Sequence, residues 1–358
     1  MLMWLIAGLF PTVITVSAPH FFRILGAQIP VMFLAALPIA ELARYGGSRW
    51  SRIGQVIPIL AGLVCIVLTG CQTWPDYFTT WAVLPQVAEN YNADVARIAH
   101  HLQENVADRT VVISGPHIED ASPYILAASL DLDGLTVRWV DARQAVSLPA
   151  GHDQAQLVAV PGYSLDPDLA VFIGLPDVSP VQPGGLITVD LTFPSWPAGA
   201  TLPVRYLAVG APWPTDPATE AATGLLPFSF RNRVQLEGIY LPAQEVSADE
   251  ELVIMTRWVV LQDGKPASLA LFVHLMSEDG KLVGQQDGLG YPPHTWRAGD
   301  VFIHVHRLQW DDKPEAERYW VQFGLYERET GERWGIVGGE NEVLGDRLLL
   351  GPIEVRAE

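Results

Sequence analysis

Residues 53–71 read IGQVIPILAGLVCIVLTGC, a run without one charged side chain, and where this run is placed decides how the remainder is read. An apolar helix of about 20 residues reaches across a bilayer core, so the run predicts a transmembrane helix. Working outward, residues 1–16 and 29–45 are also apolar and predict further spans, giving two to three in all. The first is short and contains Pro11, which reads as the tail of a longer helix, so the chain is expected to begin inside a larger protein. Short loops rich in Lys and Arg stay cytoplasmic, and ELARYGGSRWSR sets Arg44, Arg49 and Arg52 against Glu41. That orientation predicts a multi-pass plasma-membrane protein with residues 72–358 exoplasmic.

Charge divides the chain in the same place. The net charge is −18, and residues 1–74 contribute +3 to it, four arginines against Glu41, so the remainder carries −21. An acidic surface of that size repels phosphate backbones and argues against a nucleic-acid partner. Cys65 and Cys71 are the two cysteines; at six residues apart they lie roughly 9 Å apart along a helix axis, on different faces, and should not pair. The sequence Leu68-Thr-Gly-Cys71 also matches a bacterial lipobox, which would make Cys71 a lipidated N-terminus. It lies some seventy residues in, with no methionine just upstream, and a small-residue helix end accounts for the same letters.

Beyond the apolar segments the periodicity changes. Residues 81–103 have helical spacing, through Val87, Tyr91, Val95, Ile98 and Leu102, with Asn92 or Asp94 as caps if the helix begins later. Strand patterns at 110–114, 135–140 and 156–160 alternate with a helix at 121–130, which predicts a small α/β layer over 75–175. Prolines and glycines crowd residues 176–223 and mark a connecting segment. Alternating runs at 234–241, 251–261, 268–276, 281–286, 301–310, 319–326 and 347–355, punctuated by Asp263-Gly264, Asp279-Gly280 and Thr330-Gly331, predict an antiparallel β-sandwich over 224–358. The expected architecture is therefore multi-domain: N-terminal transmembrane α-helices over 1–74, a small α/β domain, and a C-terminal antiparallel β-sandwich.

Several short motifs carry a resemblance. Pro19-His20-Phe21-Phe22-Arg23, followed by Pro30 opening an Ala/Leu-rich segment, and Tyr77-Phe-Thr-Thr-Trp81-Ala with Pro85 and Tyr91, resemble the late membrane region of family-39-like glycosyltransferases of the GT-C fold. That class includes protein mannosyltransferases and aminoarabinose transferases. Leu271-Phe-Val-His-Leu275, Trp296-Arg-Ala-Gly299 and Phe323-Gly-Leu-Tyr326 resemble a sandwich appended to some bacterial members. The resemblance implies a polyprenyl-phosphate sugar donor and a catalytic Asp or Glu in a first exoplasmic loop. Nothing here matches that loop, so the chain is expected to be the C-terminal portion of such an enzyme, inactive alone, whose N-terminal catalytic half is missing. Membrane lipid and a polyprenyl-phosphate sugar are the implied partners, and no cofactor is implied. Arg23 is the one residue carried over, as a contact for a lipid phosphate, since a guanidinium fork suits phosphate; the ordinary reading is an interfacial anchor snorkelling to headgroups. The alternative is an exoplasmic binding or scaffold protein, glycan-binding or otherwise, without catalysis.

Other candidates are weighed by residue chemistry. No catalytic residue is assigned, and no Gly-x-Ser-x-Gly, His-Glu-x-x-His or phosphate-loop spacing occurs. Trp296, Trp310 and Trp334 are candidates for stacking on sugar rings, with core packing as the ordinary alternative. His304 and His306 share one strand face and His274 lies on another strand, without the carboxylate or cysteine that would complete a metal site. Glu119 with Asp120, and Asp311-Asp312 with Glu315 and Glu317, read as caps and solvated turns.

Overall fold

The computed structural model describes residues 52–81, 93–105, 110–116, 122–129, 134–175, 185–193, 204–207, 222–224, 226–242, 245–247, 249–264, 268–311, 318–338 and 341–356, with single positions elsewhere, among them several between 31 and 44. It divides into two units, Met1–Tyr91 and Asn92–Glu358.

In the first unit a helix runs over Arg52–Pro75 and continues as a π-helical turn over Asp76–Trp81. Its apolar side chains are exposed, Leu63, Val64, Ile66, Val67 and Leu68 all by more than half. Among the described residues, no helix is long and apolar enough to cross a membrane. This overturns the expected N-terminal transmembrane helices and, with them, the multi-pass plasma-membrane placement. A crossing needs about 20 continuous apolar residues, and the helix over Arg52–Pro75 is interrupted by the polar Gln55, Thr69, Gln72 and Thr73. The expected span over 1–16 lies outside the described residues, and the one over 29–45 is described only at single positions.

The second unit is built from three sheets. A helix over Ala93–Asn105 leads to β1 (Thr110–Ser114), a helix over Ser122–Ser129, β2 (Thr136–Val140), β3 (Ala145–Leu148) and β4 (Gln154–Ala159). A short helix over Pro167–Phe172, capped by the Asp166 carboxylate, precedes β5 (Ile187–Thr192), β6 (Val204–Leu207), β7 (Ala222–Gly224) and β8 (Phe228–Phe230). Then come β9 (Val234–Tyr240), β10 (Glu245–Ser247), β11 (Leu252–Val260), β12 (Leu269–Ser277) and β13 (Leu282–Gly288). The chain closes with β14 (Val301–Leu308), β15 (Arg318–Glu327), β16 (Ile336–Val337), β17 (Val343–Gly345) and β18 (Arg347–Arg356).

The first sheet has the order β2-β1-β4-β5, parallel but for β5. Its central strand β1 is buried on both faces. Val111 and Ile113 point into a cluster with Val95, Ile98 and Leu102 of the first helix, while Val112 and Leu157 join the main core. That double burial is why Thr-Val-Val-Ile-Ser reads as an unbroken apolar run rather than an alternating one.

The other two sheets, β13-β12-β15-β18-β6-β7 with β10 beside β18, and β17-β16-β8-β9-β11-β14-β3, form the sandwich. One continuous core takes Leu271, Val273, Leu275, Val321, Phe323 and Leu325 from the former and Leu236, Ile254, Trp258 and Phe302 from the latter. All seven sandwich strands read from alternation are present, antiparallel in their mutual pairing. Strands from outside that C-terminal stretch also enter: β3 pairs with β14, and β6 pairs with β18.

A buried carboxylate ties the layers together. Asp300 is fully buried and accepts from Arg138 Nε at 2.7 Å and Nη2 at 3.0 Å, from Tyr291 Oη at 2.6 Å, and from the backbone N–H groups of Arg297 and Ala150 at 3.0 Å each. Burial beside this carboxylate pushes the Tyr291 hydroxyl well above its ordinary pKa. A charge so deep is tolerated because each of its lone pairs is met.

Candidate functional site on the outer face of the sandwich

Strands β12, β13 and β15 place two kinds of side chain on opposite faces, because the side-chain period of a strand is two. Leu271, Val273 and Leu275 of β12 and Val321, Phe323 and Leu325 of β15 face the core. Phe272, His274 and Met276, and Trp320, Gln322 and Tyr326, therefore occupy the outer face, where Met276, Trp320 and Leu349 make a small cluster of their own. The outer face of this sheet is thus aromatic and polar where a solvated sheet face would be merely polar.

Its centre is a group of rings. Phe272 lies 5.1 Å from His274 and 6.2 Å from Tyr326, centroid to centroid. The Arg333 guanidinium sits over the Phe272 ring at 4.5 Å, and Arg333 is the cross-strand neighbour of Tyr326. Tyr326 Oη donates to Asp287 Oδ2 at 2.9 Å, and His274 Nε2 is 3.6 Å from Asp287 Oδ1. Gly324 makes the arrangement possible: a Cβ there would stand 2.8 Å from the edge of the Phe272 ring and 2.9 Å from the Asp346 carbonyl oxygen. Phe272 and Gln322 are buried, whereas the side chains of His274, Arg333 and Asp287 are 19%, 33% and 38% exposed.

The electrostatics follow from these neighbours. Burial lowers the His274 pKa below its ordinary value; Asp287 opposes that and Arg333 adds to it. Burial, with the Asp287 carboxylate as acceptor, raises the Tyr326 hydroxyl. The imidazole is accordingly neutral at neutral pH and the phenol protonated, both held as hydrogen-bonding ring edges. Gln322, opposite His274 in register, keeps its Nε2 without an acceptor among the described residues. What this set can do is offer the partly exposed His274 and Tyr326 rings, backed by Phe272, bordered by a carboxylate on one side and a guanidinium on the other.

The tryptophans singled out from sequence lie elsewhere. Trp296 is 1% exposed and donates from Nε1 to the Tyr291 carbonyl at 3.0 Å. Trp310 packs edge-on against Tyr319 at 4.7 Å and donates to the Glu250 carbonyl. Trp334, 6% exposed, donates to Glu327 Oε1 at 3.2 Å beneath Arg231. All three pack in or against the core cluster, and the structure does not gather them at the ring group. Arg23, His20, Glu119, Asp120, Asp312, Glu315 and Glu317 lie outside the described residues.

His304 and His306 do share one face, stacked at 4.4 Å, but both are buried. His304 Nε2 accepts from the Gly290 N–H at 3.2 Å and its Nδ1 has no partner; His306 Nε2 lies 2.9 Å from Thr256 Oγ1. Burial pushes His304 down to about 4 and His306 well below its ordinary value. Among the described residues, no three of His, Cys, Asp or Glu are grouped to hold a metal ion.

Phe272, His274, Gly324 and Tyr326 were present in the quoted phrases Leu271-Phe-Val-His-Leu275 and Phe323-Gly-Leu-Tyr326. The signal that finds them is alternation: each outward letter of those phrases is aromatic, imidazole or glycine. Asp287 and Arg333 carry no such signal, since register alone brings them in.

No family model and no curated protein matches the chain. Among solved structures, the C-terminal domain of Wzt aligns at 12% identity, covering 37% of this chain and 78% of that one, with a TM-score of 0.27. A CARDB domain from Pyrococcus furiosus, in complex with di-metal ions, aligns at 14% identity over 38% of this chain and all of that one, with a TM-score of 0.23. A calcium-binding mutant of a Bacteroides uniformis β-glucuronidase aligns at 20% identity over 28% of this chain and 12% of that one, with a TM-score of 0.20. At these scores the likenesses carry no argument about function, and they lend no support to the GT-C resemblance.

Proposed function

We propose that the unit Asn92–Glu358 is a binding module without catalysis, and that it takes carbohydrate on the outer face of the sheet containing β12 and β15. The observation that carries this reading is the ring group of Phe272, His274 and Tyr326 bordered by Asp287 and Arg333. A pyranose presents apolar C–H faces and hydroxyl edges, and such a face answers both, the partly exposed His274 and Tyr326 rings by contact, backed by the buried Phe272, and the carboxylate and guanidinium by hydrogen bonds. The acid of the face supports binding over chemistry: Asp287 accepts from Tyr326 Oη at 2.9 Å, which fixes that ring edge, with His274 Nε2 near it at 3.6 Å.

The motif resemblance supplies the setting. On that resemblance the module serves a glycosyltransferase that uses a polyprenyl-phosphate sugar, whose catalytic loop no residue of this chain matches. The Tyr77–Trp81 motif behind that resemblance forms a π-helical turn in which the two rings stack at 4.7 Å.

A glycan array probed with the full chain tests the binding reading. A defined subset of glycans is retained, and Tyr326→Ala lowers affinity for them at least about tenfold, about 1.4 kcal/mol. An array that retains nothing contradicts the reading. A separate assay tests the setting: the purified chain releases no product from a polyprenyl-phosphate sugar, and turnover by it alone overturns the claim that the chemistry lies elsewhere.

A further inference from the structure

The face described above holds an arginine in an unusual state for so acidic a chain. The net charge is −18, and other guanidiniums hold a carboxylate at hydrogen-bond length: Arg138 with Asp300, Arg143 with Asp141 and Arg318 with Glu278, each at 2.7 Å. Among the described residues Arg333 does not: it faces Asp346 Oδ2 at 3.8 Å, beyond hydrogen-bond length, and the same carboxylate lies 3.3 Å from Arg347 Nε. Two guanidiniums thus share one acid, with Arg333 a third exposed and resting on the Phe272 ring.

The surroundings agree on the sign. Burial and the neighbouring Arg333 lower the Arg347 pKa, against the opposing pull of Asp346, and Arg333 also helps to keep His274 neutral. The buried amide of Gln322 on this face adds a donor without an acceptor among the described residues. The one acid among the rings, Asp287, is opposite Phe272 on β13, while Arg333 pairs with Tyr326, whose β12 side is already taken by Ala270. Negative and positive groups therefore flank the ring platform on opposite sides.

We propose that the sugar bound on this face is an anionic one, its carboxylate or phosphate received by Arg333 while its ring lies against the partly exposed Tyr326 and His274 and its hydroxyls meet Asp287. This rests on the glycan-binding reading and specifies its ligand class. A guanidinium offers five donors in a planar fork that matches a carboxylate or phosphate with two parallel hydrogen bonds. Stacked on a ring, it is held for that contact at little entropic cost.

Three probes decide it with the full chain at fixed ionic strength: glucose, sodium glucuronate and glucose 1-phosphate, followed by the NMR shifts of His274, Tyr326 and the Arg333 Nε–H. The expected result is that one anionic sugar binds at least about tenfold more tightly than glucose, shifts the Arg333 Nε–H, and weakens with added salt while glucose does not. Which of the two binds distinguishes carboxylate from phosphate. In Arg333→Gln the ratio of anionic to neutral affinity falls to about one, and the salt dependence of the wild-type chain reads the same charge if that variant fails to fold. Equal affinity for glucose and both anionic sugars overturns the proposal and leaves the glycan-binding reading standing. No shift with any probe overturns both.

Discussion

Tyr326 on β15 donates its hydroxyl proton to Asp287 on the edge strand β13 at 2.9 Å, so the pair reaches across β12 beside the Phe272 ring. The same carboxylate raises the His274 pKa against the burial that lowers it. Replacing Asp287 by Asn removes that opposing charge while keeping an acceptor. The His274 titration midpoint, followed by NMR, should therefore fall further, with stability changing by less than about 1 kcal/mol because the carboxylate is partly exposed. A midpoint that rises would show that Asp287 does not govern the imidazole.

The buried histidine pair sets an acid limit. His304 is held at about 4, below its ordinary 6.5, so between those values the unfolded chain binds the proton and the folded chain does not. Stability is then fully present above about pH 6.5 and falls as the pH drops toward 4, by about 3 kcal/mol for His304 alone. His306, displaced in the same direction, adds to the loss. Denaturant midpoints between about pH 7 and 4.5 should decline in the native chain and decline less in a His304→Gln, His306→Gln variant.

Asp300→Ala leaves Arg138 buried without its bidentate partner and removes the acceptor from Tyr291, Arg297 and Ala150. Breaking a buried pair from one side costs about 3–5 kcal/mol. The denaturant midpoint should drop accordingly. A loss below about 1 kcal/mol would mean that these layers are held by apolar contact alone.

Gly324→Ala puts a methyl group where the Phe272 ring and the Asp346 carbonyl oxygen already stand. Overpacking of this kind costs about 1–3 kcal/mol, and the ring must leave its place beside His274. The ring-current shift on the His274 protons should change, and affinity for any retained glycan should fall with it. An unchanged His274 spectrum would show that the ring is not held as described.

Local patterns made much of the sandwich legible. The seven alternating runs became β9, β11, β12, β13, β14, β15 and β18 because each has one face in the core, and 110–114 read as a strand because both its faces are buried. What stayed hidden depends on distance. Ala-Val-Ser-Leu of β3 is four residues long, and nothing local says that it pairs with β14 some 155 positions onward. The N-terminal reading took apolar composition for membrane spans, and no helix among the described residues is long and apolar enough to be one. Residue type guided the tryptophans as well: large rings read equally as ligand platforms or as core, and burial at Trp296 and Trp334 is a property of the assembled sheets. The ring group emerged only from register, since Tyr326 and Asp287 are brought together by β12 lying between their strands.

The most direct test is chemical-shift mapping of the full chain with a glycan retained on the array. The account places the perturbed residues together on one sheet face, at His274, Asp287, Tyr326 and Arg333, with the core indoles of Trp296 and Trp334 unmoved. Shifts centred on Trp310 or Trp334, with His274 and Tyr326 silent, would contradict it.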